Sequence, residues 1–150
     1  MGRLAQMFLG RYEHSLDEKN RVTLPARFRA DLEHGVVITK GIADPCLWVF
    51  PYERFKQVAE KADALPLTQK AARAFSRLVF TNAVDDIPDR QGRVRIPDYL
   101  LQFAGIKSEA LILGNNGRLE IWSPERWTAQ EAYSDEHQEE MAALLNDLGI

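Results

Sequence analysis

A chain of 150 residues with 45% hydrophobic and 27% charged residues has the makeup of a globular protein, with room for one ordinary domain or two small ones. No apolar run approaches the ~18 residues of a membrane span, and the polar start Met1-Gly2-Arg3 has no hydrophobic signal segment behind it. The net charge of −3 by itself argues against nucleic acid, and the single Cys46 leaves no internal disulfide, which fits a reducing cytoplasm.

Residues 1–6 carry no pattern and read as a loose leader. Over 8–16, Phe8, Tyr12, His14 and Leu16 take even positions and Arg11, Glu13 and Ser15 odd ones, the alternation of a half-exposed strand. Asp17 to Asn20 is turn chemistry, since an Asp carboxylate folds back onto backbone N–H groups and Asn tolerates positive φ. The return strand, 21–24, sets Val22 and Leu24 against one side and Arg21 and Thr23 against the other. Pro25 stands where a helix begins, and a short helix over 26–33 ends at Gly35. The apolar runs 36–39 and 46–50, around a turn at 41–45, predict a hairpin. A helix follows over 51–64, with Phe55, Val58, Ala59 and Ala62 on one face, and a second helical stretch covers 67–80.

The chain then repeats itself. Asp89, Arg93 and Pro97 stand 72 residues after Asp17, Arg21 and Pro25, and Glu125-Arg126 repeats Glu53-Arg54 at the same shift. Agreement at both ends of about forty residues marks an internal duplication. Gly92 takes the place of Asn20, as a left-handed position requires. Val94 and Ile96 form the inner pair, and Arg93 and Arg95 point outward. A helix over 98–104 ends at Gly105, strands over 110–113 and 119–122 flank a turn at 114–117, and a C-terminal helix over 124–148 breaks near Ser134-Asp135. Each copy is strand, tight loop, strand, short helix, hairpin, helix, which makes the class α+β. The division is a module at 11–54, a helical connector at 55–82, a second module at 83–126 and an acidic helix at 127–150. Modules of about 45 residues bury little surface alone and need a partner module or oligomerisation. Residues 120–150 hold eight acids against the one base Arg126, so the rest of the chain carries +4 and can present a local anion-binding face.

Enzymatic constellations are missing. His14, His34 and His137 lack metal-ligand spacing, Cys46 has no neighbouring base to activate it, and no phosphate loop or nucleophile motif is present. The expectation is a non-enzyme without metal, cofactor or small-molecule substrate. What remains is the duplicated loop. One reading is structural, with Asp17 capping the turn and Arg21 bridging to it. The other divides the labour: Asp17, Asn20, Asp89 and Gly92 shape the loops while arginine reaches DNA, its planar fork matching a phosphate or guanine O6 and N7. The outward cations are Arg11, Lys19 and Arg21 in the first copy and Arg90, Arg93 and Arg95 in the second, and Arg27 and Arg29 are candidate phosphate holders.

Met7-Phe8-Leu9-Gly10, followed by Asp17 through Arg29 (D-E-K-N-R-V-T-L-P-A-R-F-R) and the doubled D-x-x-x-R motif, resembles the bacterial MraZ family from Met7 through Trp127. The resemblance implies tandem swapped-hairpin modules of the AbrB-like β-barrel type, related by a pseudo-two-fold within the chain. It also implies a closed ring of copies, commonly an octamer, and transcriptional regulation, as a repressor, of the division and cell-wall gene cluster and of the protein's own operon. Members bind short G-rich direct repeats in double-stranded DNA, and Arg21 matches the residue tied to that contact. Such a protein is cytoplasmic and nucleoid-associated. Three departures stand out. Residues 1–6 precede the usual Met-Phe start, Asn20 replaces a glycine, and the second copy has Pro88 and Asp85-Asp86 near its motif. The first copy is therefore expected to touch DNA and the second to serve mainly assembly. Two rivals stay open, an AbrB-type antitoxin and a protein-binding scaffold whose acidic C-terminal helix docks a partner.

Overall fold

The alternation over the first strand becomes β1, Phe8–Ser15, in a computed structural model that describes residues 7–150. Phe8 is buried, Tyr12 and His14 half-buried, and Arg11, Glu13 and Ser15 exposed. The leader read at 1–6 falls outside the described residues. The return strand β2, Arg21–Thr23, buries Val22 completely and leaves Arg21 and Thr23 half-exposed. A 3-10 turn over Ala26–Phe28 and the single helical turn α1, Arg29–Leu32, replace the continuous helix predicted over 26–33. The Phe28 N–H donates to Pro25 O at 2.9 Å, the tight pattern of three residues per turn. The first half continues with β3 (Val36–Lys40), β4 (Leu47–Pro51), α2 (Tyr52–Ala62) and α3 (Lys70–Phe80). The second half holds β5 (Val84–Asp86), β6 (Arg93–Arg95), α4 (Asp98–Ala104), β7 (Glu109–Asn116), β8 (Arg118–Trp122), α5 (Pro124–Glu136) and α6 (Gln138–Leu148).

The strands pair across the repeat. A six-stranded antiparallel sheet runs in the order β1-β7-β8-β4-β3-β5, and β2 and β6 form a separate two-stranded ribbon. The first copy's β1 lies on the second copy's β7, from Phe8 opposite Asn116 to Ser15 opposite Glu109. Reciprocally, the second copy's β5 lies on the first copy's β3. Val22 faces Val94 and Trp48 faces Glu120, each pair being counterparts 72 residues apart. Shifting every residue to its counterpart turns Arg21–Arg95 into Thr23–Arg93 and Leu47–Ile121 into Val49–Leu119, so the pairing maps onto itself.

One core runs through both copies. Val22, Leu24, Phe28 and Ile38 meet Val94, Ile96, Leu100 and Ile112, all fully buried. Two smaller clusters repeat each other. Phe55 of α2 packs on Phe50 with ring centroids 5.5 Å apart, and Trp127 of α5 packs on Trp122 at 5.4 Å, both residues shifted by 72.

Several predicted boundaries move, for local reasons. Pro25, Pro51 and Pro97 occupy the capping position before their helices with extended ψ, one residue earlier than a first-turn proline. Cys46 belongs to the turn, where its N–H donates to Asp44 O and its carbonyl accepts from Gly41 N. The second hairpin turns at Asn116-Gly117, not over 114–117, because β7 must run on to pair with all of β1. Asn116 has φ 62°, and the Asn-Gly dipeptide suits a two-residue turn. The C-terminal helix breaks at His137, whose φ of −116° leaves the helical region and whose ring stacks on Tyr133 at 3.9 Å.

Gly114 shows how closely the two copies approach. A Cβ there would stand 2.3 Å from Leu9 N on β1, a backbone atom with nowhere to move. Gly114→Ala is expected to cost more than the roughly 1–3 kcal/mol of an overpacked core. That corresponds to a fall in Tm of at least about 3 °C for a chain of this size. Calorimetry showing an unchanged Tm would contradict the pairing of β1 with β7.

Candidate nucleic-acid interface

Each D-x-x-x-R loop is built around one carboxylate. Asp17 Oδ1 accepts from Lys19 N at 2.9 Å and Arg21 N at 2.8 Å, while Oδ2 takes Arg21 Nε at 2.7 Å. Asp89 repeats this with Gln91 N at 2.9 Å, Arg93 N at 2.9 Å and Arg93 Nε at 2.7 Å. Asp17 N and Asp89 N each donate to the carbonyl of the motif arginine at 3.0 Å, which closes both turns. Asn20 at φ 58° and Gly92 at φ 77° hold the left-handed corner, as the exchange of Asn for Gly foretold. The structural reading of the loop is thereby seen in atoms, in both copies.

That contact leaves most of each guanidinium unused. Only Nε of Arg21 is taken by its own aspartate, so the terminal Nη groups keep their donors. The same holds for Arg93, whose Nη1 also lies 3.9 Å from Asp17 Oδ2 across the ribbon. The aspartates thus orient the arginines and do not consume them.

The β2–β6 ribbon brings both loops to one place. Its inner side carries Val22 and Val94, fully buried, and its outer side carries Arg21, Thr23, Arg93 and Arg95. The two loops are tied together by Leu24 N to Gly92 O at 2.8 Å and Ile96 N to Asn20 O at 2.9 Å. Arg21 and Arg93 have side chains 28% and 29% exposed, an equality that gives no positional ground for the division of labour expected between the copies. Asp86 still marks the second copy, since its carboxylate accepts from Arg95 N at 3.0 Å.

The other predicted cations scatter. Lys19, Arg90 and Arg95 are exposed beside the ribbon and form no side-chain ion pair among the described residues. Arg27 is exposed on the adjoining 3-10 turn, where Nη1 donates to Tyr12 Oη at 3.0 Å. Arg29, the other candidate phosphate holder, is half-buried. Its Nε donates to Leu24 O at 3.3 Å, and its guanidinium supports the second loop so closely that a Cβ on Gly92 would stand 2.4 Å away. Arg11 lies against the acidic tail, with Nη1 3.0 Å from Glu131 Oε2 and its guanidinium 5.6 Å from the Trp127 ring centre.

Two supporting features were not read from the sequence. Asn20 Nδ2 donates to Asp98 Oδ1 at 2.6 Å, locking the first loop to the second copy's helix. Partial burial, and after it the charge of the nearby Arg29, push the pKa of His14, the counterpart of Asp86, below the ordinary range. The shift of 72 pairs His14 with Asp86 directly and was the one signal available for that difference. Burial, aided by the charges of Glu120 and Asp44, raises the Cys46 thiol far above its usual range, so it is inert as a nucleophile.

Among the described residues no group of His, Cys, Asp and Glu is placed to hold a metal ion, and no helix is long and apolar enough to cross a membrane. Backbone hydrogen bonds from the motif arginines, foremost, hold the Asp17 and Asp89 carboxyls below the usual carboxylate range. Such groups add stability that is complete above the unfolded value of ~3.9 and is lost as pH falls through the lower folded value. Carboxyl-carbon NMR is expected to show both titrating below ~3.9. A midpoint at or above that value in either would mean its loop is open in solution.

A sequence profile described as "MraZ protein, putative antitoxin-like" matches the chain twice, over residues 7–78 and 79–147. A Frankia casuarinae protein named "Transcriptional regulator MraZ" is 44% identical over 142 residues, covering 95% of this chain and 96% of the relative. Proteins of the same name from Parafrankia sp. and Halothermothrix orenii are 47% and 40% identical over 136 and 144 residues. These cover 91% and 96% of this chain and 94% and 100% of the relatives.

Proposed function

Because the chain belongs to the MraZ family, we propose that it is a transcriptional regulator and not an enzyme, and that it binds double-stranded DNA through the β2–β6 ribbon. The observation that carries this is the meeting of both D-x-x-x-R loops on one exposed strand pair backed by a buried valine pair. A two-stranded ribbon fits the major groove of B-DNA, and an arginine held by Nε offers its Nη edge to guanine O6 and N7 or to a phosphate. Arg21, Arg93 and Arg95 are assigned to that contact, with Lys19, Arg90 and Arg27 on flanking phosphates. Arg11 joins them when released from Glu131, and Arg29 acts as a support. Asp17, Asn20, Asp89 and Gly92 set the loop shape.

The finer reading is a tandem swapped-hairpin AbrB-like barrel with modules at 11–54 and 83–126 and a pseudo-two-fold along the ribbon, which the self-mapping register supports. Copies assemble into a ring, an octamer being the family's common size, so that successive protomers meet successive short G-rich direct repeats. The targets are the protein's own operon and the division and cell-wall gene cluster, repressed by a cytoplasmic, nucleoid-associated assembly. No cofactor, metal or small-molecule substrate enters this reading.

Electrophoretic mobility with G-rich repeat DNA against a shuffled sequence tests it. One bidentate guanine contact is worth roughly 1–3 kcal/mol, about 5- to 150-fold in affinity, and a ring multiplies the effect of its loss. Arg21→Ala and Arg93→Ala are both expected to reduce specific binding at least about tenfold with the elution volume unchanged. Equal affinity for repeat and shuffled DNA would refute the reading. A loss confined to Arg21→Ala would restore the division of labour between the copies.

Asp17→Asn separates orientation from charge. Asn keeps an acceptor for the backbone N–H groups and drops the ion pair, so the loop persists while Arg21 gains freedom. Affinity for the repeats is expected to stay within about fivefold of the wild type, whereas Asp17→Ala, which leaves those N–H groups unpartnered, should lose more. Identical losses from the two substitutions would show that the ion pair itself is what DNA binding requires.

A further inference from the structure

The repeat ends in two helix pairs with different fates. In the first half, α2 and α3 are joined by seven residues, 63–69, and α3 folds back on the sheet. Val79 is buried against the cluster of Val37 and Phe50, and Thr39 Oγ1 donates to Val79 O at 2.7 Å. In the second half, α5 and α6 are separated by His137 alone, fewer than the two to eight residues that helix reversals use. α5 is anchored at its start by Trp127 on Trp122 and by Arg126 Nη1 donating to Phe103 O at 2.8 Å. Every residue of α6 is exposed.

α6 nevertheless carries a packing face. Met141, Leu144, Leu145 and Leu148 recur at intervals of three and four residues, so they share one side of the helix while 39–70% exposed. A stripe of that kind signals a surface that is covered in use. Its charges select what covers it. Residues 124–150 hold seven acids and one base, so a second α6 would repel it. Residues 52–80, spanning α2 and α3, hold six bases and three acids. Between those two helices lies a groove whose floor is apolar, with Ala59, Ala62, Leu65, Leu67, Ala72 and Phe80, and whose polar lining is Ser76 and the single acid Asp63. Its small residues admit a helix, and Leu65 and Leu67 stand 37% and 77% exposed beside it.

We propose that the apolar face of α6 in one protomer seats in the α2–α3 groove of a second copy, as the contact that joins protomers head to tail. Opposite charge on the two helix pairs aligns them, and burial of the four apolar side chains of α6 supplies the attraction. Because the helix and the groove are different surfaces, each copy offers one of each and the contact propagates until it closes. The assignment rests on the ring reading given above and names the interface that ring would use.

Light scattering on two complementary variants tests it. A chain ending at His137 keeps the groove and lacks the helix; a full chain with Leu65→Asp and Leu67→Asp keeps the helix and loses the groove. All altered residues are exposed, and far-UV circular dichroism with a melting curve checks that each variant folds. A full chain with Leu144→Asp and Leu145→Asp serves as a second helix variant should the shortened one unfold. The wild type is expected at a multiple of 17.1 kDa, each variant alone at its own single-chain mass, and their equimolar mixture at the sum of the two. A shortened chain that assembles with the wild-type number of copies would overturn this interface and leave the ring reading standing, as would a mixture that stays at single-chain mass. A wild type at 17.1 kDa would overturn both.

Discussion

Neither copy of the repeat can complete its own sheet. β1 finds its eight partners only on β7 of the other copy, and β5 finds its three only on β3. An unpaired strand edge exposes a row of backbone donors and acceptors, so each half leaves such an edge open until the other arrives. The exchange also decides where everything else goes. It sets Val22 against Val94, brings Leu24 and Ile96 under the opposite loop, and makes one core out of residues from both halves. Two loops that are 72 residues apart in the chain become neighbours on a ribbon, and the cationic face exists only because they do.

The loops themselves are local chemistry. A single carboxylate satisfies two backbone N–H groups and one guanidinium N–H, so the turn and the side-chain direction are fixed together. Around this shared frame the copies have diverged. The first loop holds Asn20 to Asp98, while the second leaves room at Gly92 for Arg29 to reach beneath it. At the strand preceding each loop, His14 stands where the other copy has Asp86. The ribbon is therefore symmetric in backbone and in its two motif arginines, and asymmetric in the charges at its ends.

Much of this was legible in the residues. The Asp turn, the inward Val22 and Leu24, the left-handed Asn20 and Gly92 and the two hairpins all follow from contacts within a few positions along the chain. The boundaries that moved depend on distant neighbours. β7 extends through Gly114 because β1 of the other copy lies against it, and Arg29 turns inward because the second loop passes over it. The choice of partner for each strand is likewise non-local, and periodicity cannot supply it. The exposure of α6 was hidden for a different reason. Its apolar spacing is that of any helix with a packing face, and only the fold reveals that no other described residue covers it.

Amide hydrogen exchange with and without G-rich repeat DNA tests the central claim, that both copies present one DNA-binding ribbon. Added protection is expected in the peptides covering 17–24 and 89–96 together, with α5 unchanged. Protection limited to one of those segments, or found on the helices and absent from the ribbon, would contradict it.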